Sequence, residues 1–305
     1  HFDDMLKQIR KEAVKSLKKI AILNDLSGLG KCSLTAAIPV ISVMGVQACP
    51  LPTAILSNQT GYDSYYCDDY TERMDQIMEE WKKRNFHPDG IYTGFVAGKQ
   101  QVEKILKFLR IFRKEDTLLL VDPVMGDRGE VYDFMTQDLC NEMKRLAENA
   151  DVLTPNLTEA ILLLYGMQEL NHYWQEICES QGLKFRQRAE EMAEQIAQKY
   201  HVKTVVITGI DLKQDERLQI GNLILESGMI SWVISPKYGG SYSGTGDLFA
   251  SVLSAGMVKG MEIRTCVEKA SRFLEKAIKD AIEEQTDRND GICFETYLYE
   301  LGKEG

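Results

Sequence analysis

A chain of 305 residues, 44% of them apolar, has enough core-forming content for one large domain or two small ones. Its formal net charge of −10 argues against a nucleic-acid surface or a polybasic membrane patch, which need clustered positive charge, and leaves small molecules as the expected partners. The seven cysteines are scattered with no C-x-x-C pair, and no apolar run has the length of a membrane span or the flanks of a secretory signal, so the chain reads as reduced, cytoplasmic and without a zinc site.

His1-Phe2 reads as a cloning remnant. Residues 3–18 carry Met5, Leu6, Ile9, Val14 and Leu17 at the spacing of a short amphipathic helix, an extension with no expected function. Residues 19–23 form a compact apolar strand that ends at Asn24-Asp25-Leu26-Ser27-Gly28-Leu29-Gly30-Lys31-Cys32-Ser33. A strand, a glycine-bearing turn and an Ala-rich helix in succession are how a parallel α/β sheet begins. The turn is neither G-x-G-x-x-G nor a Walker A loop, which has four residues between its first Gly and the Gly-Lys pair. Its polar cluster is a candidate substrate contact instead.

A second strand at 53–56 ends in Ser57-Asn58-Gln59-Thr60-Gly61-Tyr62, by itself a surface turn. Residues 63–86 mix Tyr65, Tyr66, Tyr70 and Trp81 with charges and run into a helix, and 90–95 is a third strand. Helical spacing of Val102, Ile105, Leu106 and Leu109 predicts a helix over 99–112. The run 117–121 is apolar throughout, as in a strand buried on both faces. It stops at Asp122, which with Asp127 places two carboxylates on a Gly/Pro-constrained loop. A solvated acidic turn is the plain reading, but a carboxylate that directly ends a buried strand suits Mg²⁺, which takes one or two carboxylates plus waters and phosphates.

Residues 151–160 are another strand-to-helix switch, with Asn156 and Glu159 at capping-box spacing; capping and metal binding are compatible readings of this pair. A long helical stretch spans 165–200, solvated along one side. A strand follows at 204–209, a hairpin over 219–235 and a C-terminal helix over 262–285. Between the last two lies the turn 239–250, where Gly244 and Gly246 let the backbone approach a ligand and the free N–H groups of the next helix make an anion site. Asp247, on the first turn of that small-residue helix, either complements the helix dipole or accepts a proton from a hydroxyl that attacks a bound phosphate. No linker or repeat divides the chain, so a single α/β domain is expected over 1–305, with a central, mostly parallel sheet flanked by helices on both faces. His1, His87, His172 and His201 all lie outside these motifs, which removes histidine-based hydrolase schemes.

Gly244-Thr245-Gly246-Asp247 and its small-residue helix resemble the signature of ribokinase-like small-molecule kinases. Asp122-Pro123-Val124-Met125-Gly126-Asp127 with Thr154-Pro155-Asn156-x-x-Glu159 resembles the pyridoxal kinase branch, and residues 57–62 are similar to its S-N-H-T-G-Y with Gln59 in place of histidine. The resemblance covers nearly the whole chain. It implies a ribokinase-like fold and ATP-dependent phosphorylation of the hydroxymethyl group of a B6 vitamer, in vitamin B6 salvage, with Mg²⁺, a monovalent cation such as K⁺ as a further option, and a homodimer. Asp247 would be the base, and the N–H groups of Gly244, Thr245 and Gly246 the anion hole. Asp127 and Glu159, with Asp122 nearby, would serve Mg²⁺ and phosphate. Thr154, Asn156 and Thr208 would line the nucleotide phosphates under a loop bearing Tyr132, while Thr60 and Phe95 would face the pyridine ring. The first-strand contact would be Asn24 or Ser27, since residues 24–27 look more like the Asp-x-Ser-Gly of hydroxymethylpyrimidine kinases. A neutral Gln59 has no protonation role. A hydroxymethylpyrimidine or other small-molecule kinase is the alternative on the same scaffold, and a non-catalytic vitamer-binding protein the alternative from another class.

Overall fold

Apolar runs bracketed by turn residues set the strands, and 3.6-residue apolar stripes set the helices. The computed structural model describes residues 17–214 and 217–303, so the remnant expected at 1–2 and nearly all of the helix expected at 3–18 lie outside the described residues. The first half of the chain runs β1 (Lys19–Ser27), α1 (Ser33–Val43), β2 (Gln47–Leu56), β3 (Cys67–Asp69), α2 (Thr71–Lys83), β4 (Gly90–Thr93), α3 (Lys99–Phe112) and β5 (Leu118–Val121). A small hairpin follows, β6 (Gly126–Asp127) and β7 (Glu130–Val131), then α4 (Gln137–Ala147), β8 (Val152–Leu153), α5 (Leu157–Tyr165), α6 (Leu170–Glu179) and α7 (Gly182–Tyr200). The chain closes with β9 (Thr204–Gln214), β10 (Arg217–Glu226), β11 (Met229–Pro236), α8 (Thr245–Val258), α9 (Ile263–Glu283) and α10 (Leu298–Leu301).

One nine-stranded sheet has the order β11-β10-β9-β8-β5-β4-β1-β2-β3. Strands β9, β8, β5, β4, β1 and β2 are parallel to their neighbours in that series, and antiparallel strands extend it at both edges. Side chains alternate between two apolar layers: Ala21, Leu23, Ile91 and Leu119 face α2 to α7, whereas Ile20, Ile22, Tyr92 and Leu120 face α1, α8 and α9. The chain builds outward from β1 in one direction to β2 and in the other to β4. The crevice between β1 and β4 is therefore a topological switch point, where open α/β sheets place their ligands.

The structure departs from the expected boundaries where polar residues lie inside strands. β1 runs on through Asn24 to Ser27, pairing with β2 across a register irregularity between Asn24 and Leu26. β2 begins well before residue 53 and carries Pro50 and Pro52; β3, an unexpected edge strand, pairs only with its last three residues, so both prolines lie where no outer partner needs their missing N–H. The stretch 165–200 is two helices, broken at Ser180 and Gln181 before Gly182 turns at φ +57°. α8 is buried from Leu248 to Gly256, as its small residues imply.

A buried amide braces the sheet edge beneath the 57–62 loop. Gln101 Oε1 accepts Ala97 N–H at 2.8 Å, while its Nε2 donates to Thr53 O at 2.8 Å, Thr71 Oγ1 at 3.0 Å and Asp69 Oδ1 at 3.1 Å. Gln101→Leu keeps the volume but orphans the Ala97 donor, while Thr53 O keeps the Tyr70 N–H at 3.0 Å. Urea unfolding is expected to show a loss of about 1–3 kcal/mol, the cost of one unsatisfied group withdrawn from water.

Candidate active site

Asp247 occupies the first turn of α8, immediately after Gly244, which adopts φ +78° and packs so tightly on the β1–α1 loop that a Cβ would stand 2.1 Å from Lys31 O. Only glycine fits, and its turn aims the opening N–H groups of α8 into the cavity. Asp247 Oδ1 accepts Asn24 Nδ2 at 3.0 Å and the Tyr92 hydroxyl at 3.2 Å; Oδ2 accepts Ser33 N–H, the first helical amide of α1, at 2.8 Å. Desolvation raises its carboxyl above the usual carboxylate range, and these three donors work in the opposite direction. The result is a carboxylate held in one orientation by β1, β4 and α1.

A cavity of about 930 Å³ opens above it along the carboxyl ends of the strands. On one side Phe95 meets Phe134 edge-on at 4.7 Å and Phe134 stacks with Tyr132 at 5.7 Å, giving an aromatic wall opposite Thr60. On the other side the cavity passes Thr154, Asn156 and Thr208 to an apolar end at Leu274 and Ile278. Asp122, buried beside Gly246, accepts Thr154 Oγ1 at 3.2 Å, and burial followed by the Asp247 charge raises its carboxyl. Asp25 lines the substrate side with Ser27 Oγ donating to it at 2.7 Å, and burial pushes it up to about 6.

Glu159 and Asn156 form a complete capping box. Glu159 Oε1 accepts Met125 N–H at 3.1 Å and Oε2 accepts Asn156 N–H at 2.8 Å, while Asn156 Oδ1 accepts Glu159 N–H at 2.9 Å and Asn156 Nδ2 donates to Gly126 O at 2.8 Å. Desolvation first, and then the Asp122 charge, raise the Glu159 carboxyl well above its ordinary value. Both residues line the cavity, but their bonds tie β6 to α5. Asp127 is less enclosed, with Oδ1 accepting Arg128 N–H at 2.9 Å. Among the described residues no three His, Cys, Asp or Glu side chains converge as a ready-made cage. The donor set still fits Mg²⁺, which needs only one or two carboxylates when phosphates and waters complete its shell. Asp122 and Asp127 are the oxygens free enough to take part.

The expected residues thus gather on one rim, with one correction. Asn24 is fully buried and its amide is spent on Asp247, Phe95 N–H and Asp25 N–H, so it holds the Asp247 carboxylate rather than lining the cavity; Ser27 does line it. In the sequence Asp25 figures only as part of the polar cluster at 24–33, and Tyr92 and Phe134 are not singled out as site residues. Extending β1 to Ser27 would have found Asp25, since residues two apart in a strand share a face. Tyr92 carries no sequence signal beyond that of a core aromatic. None of the described helices is long and apolar enough to cross a membrane, and all seven cysteines are unpaired.

The chain is similar, at 32% identity and a TM-score of 0.85, to a Bacteroides thetaiotaomicron protein assigned as a phosphomethylpyrimidine kinase and crystallised with pyridoxal, over 95% of this chain and 97% of that one. It is similar to pyridoxal kinase from Lactobacillus plantarum at 27% identity and a TM-score of 0.78, over 94% of this chain and 97% of that one. It is 25% identical to Dictyostelium discoideum pyridoxal kinase over 82% of this chain and 80% of that protein. The model of the phosphomethylpyrimidine kinase family matches residues 30–290, and the chain belongs to that family of ribokinase-like, ATP-dependent phosphotransferases.

Proposed function

We propose that the chain, acting as one kinase domain, transfers the γ-phosphoryl group of ATP to the hydroxymethyl group of a B6 vitamer. The observation that carries this reading is an aromatic wall, Phe95, Phe134 and Tyr132, in the same cavity as a bonded carboxylate at a helix N-terminus. A flat heteroaromatic ring stacks on such a wall, and pyridoxal accompanies the Bacteroides relative. The ring lies between Phe95 and Thr60, with its hydroxymethyl group towards Asp247. Ser27 and Asp25 offer polar contacts at the ring edge.

Phosphoryl transfer has a loose transition state, so alignment and charge stabilisation carry most of the catalysis. Asp247 accepts the hydroxyl proton as the new bond forms. The N–H groups of Gly244, Thr245 and Gly246 hold the transferring oxygens, and Thr154, Asn156 and Thr208 line the path of the other phosphates, with Tyr132 over them. Asp122 and Asp127 would hold Mg²⁺, with Glu159 acting from behind by fixing the loop; the ion, when bound, neutralises phosphate oxygens. The family resemblance adds a homodimer and a cytoplasmic setting to this proposal, and K⁺ as a further ion.

With purified protein and ATP, pyridoxal, pyridoxine or pyridoxamine should be phosphorylated faster than hydroxymethylpyrimidine; the reverse order would assign the protein to pyrimidine salvage. Asp247→Asn retains size and an acceptor but loses the charge. Its kcat should fall about 10²–10⁴-fold while ligand affinity stays close to the parent's, and the melting temperature should drop by a few degrees without loss of the fold, because one amide oxygen replaces two acceptors that serve three donors. Near-parental turnover in a folded variant would reduce Asp247 to a dipole partner. Excess chelator should stop turnover, and Asp127→Asn should raise the Mg²⁺ concentration at half-maximal rate; a flat metal titration would count against the assignment.

A further inference from the structure

Gln59, the residue that departs from the histidine of the pyridoxal kinase motif, does not spend its side chain on a ligand. It is buried, its Oε1 accepts Gly61 N–H at 2.7 Å, and its Nε2 donates to Asn289, at 3.0 Å to Oδ1 and 3.3 Å to the backbone carbonyl. The first bond curls the turn that presents Thr60. The second leaves the loop for a segment 230 residues away in sequence, a short 3₁₀ turn after α9. Asn289 is itself fixed there, its N–H donating to Asp287 Oδ1 at 2.8 Å, and Tyr62 binds the adjoining Asp290 through its hydroxyl.

The same turn holds the phosphate side of the site. Ser243 N–H, one residue before Gly244, donates to Arg288 O at 3.0 Å. Among the described residues no hydrogen bond joins 57–62 directly to 239–246; the two loops meet through residues 288 and 289. Two glycines show how closely the amide pair is enclosed. A Cβ on Gly61 would lie 2.6 Å from Asn289 Oδ1, and one on Gly30, in the β1–α1 loop, 2.4 Å from Gln59 Cγ and 3.1 Å from Asn289 O. Three loops from distant parts of the chain thus close on one pair of side-chain amides.

We infer that Asn289 is a positioning residue, which through Gln59 and the Arg288 carbonyl keeps the ring-binding loop and the phosphate-binding turn in register so that the substrate hydroxyl lines up with the transferring phosphoryl group. The inference rests on the kinase reading above for its catalytic consequence, though not for the coupling between loops. Its side chain acts purely as an acceptor from Gln59, which defines the test. Asn289→Ala removes the side-chain acceptor and leaves Gln59 only the longer bond to the backbone carbonyl at 3.3 Å, and Asn289→Asp retains both.

Two measurements on the purified full-length protein decide the matter. In amide hydrogen exchange without ligands, Asn289→Ala should speed exchange about tenfold in peptides covering both 57–62 and 240–246, with β9 unaffected and Asn289→Asp close to parent. In steady-state kinetics with pyridoxal, Asn289→Ala should lower kcat and raise KM for pyridoxal, with a combined loss of about 10- to 100-fold, because misplacement of about 1 Å can cost 10²-fold. ADP affinity by calorimetry should stay unchanged, and Asn289→Asp should restore both kinetic constants. Faster exchange in one loop alone, an Asp variant as impaired as the Ala variant, or unaltered kinetics despite loosened loops would each overturn the inference. If the parent phosphorylates no vitamer, the kinase reading fails by itself, and the exchange experiment still decides whether Asn289 couples the loops.

Discussion

The site depends on keeping the Asp247 carboxylate ionised and aimed, at the floor of the cavity, where it is largely withdrawn from bulk water. Withdrawal from water disfavours the charge by several kcal/mol, and burial raises its pKa accordingly. Against this stand an amide, a phenol and a helix-opening N–H, the last with the positive end of the α1 dipole behind it. Hydrogen bonds to a charged acceptor contribute about 1.5–3 kcal/mol each, enough to offset much of the penalty without making the group too weak a base. Asn24 and Tyr92 come from β1 and β4, the two strands that flank the switch point of the sheet. The basicity of this carboxylate, the proposed proton acceptor, is thereby tied to the strand order itself.

That arrangement divides the electrostatics of the cavity into two parts. Asp122, Asp127 and Glu159 line the cavity without converging, and a polyanionic nucleotide passing them would be repelled unless a hard cation intervened. Backbone N–H groups at the start of α8 supply the opposite sign without any side-chain charge, which suits a turn with no room for a Cβ at Gly244. Glu159 shows how structure and charge interlock: both of its oxygens hold backbone amides, so it shapes the Asp127 hairpin even where it touches no ligand.

The sheet provides a rigid base, yet the contacts that select a substrate sit on loops. Phe95, Phe134 and Tyr132 come from two separate connections and form one wall because their rings pack on each other. Gln59 illustrates a second economy: an amide can accept and donate at once, so it shapes its own turn and reaches the C-terminal segment together. A histidine has one donor and one acceptor only in its neutral form, so the amide does this independently of pH.

Much was legible in the sequence by itself. Apolar runs and helical stripes located most elements of an α/β fold, and the glycines of 244–246 with Asp247 pointed to a phosphate site, because backbone conformation and local spacing are properties of neighbouring residues. Local spacing also read Asn156 and Glu159 correctly as a capping box. What the tertiary structure alone decided are the contacts between residues far apart in the chain. Asn24, expected to touch a ligand, turns inward because Asp247, 223 residues later, occupies the place its amide can reach. Tyr92 becomes a partner of Asp247 because β4 pairs beside β1 beneath α8, and Asn289 meets Gln59 because the segment after α9 returns to the 57–62 loop. Such encounters depend on strand order and on close packing across the sheet, and a one-dimensional pattern carries no term for either.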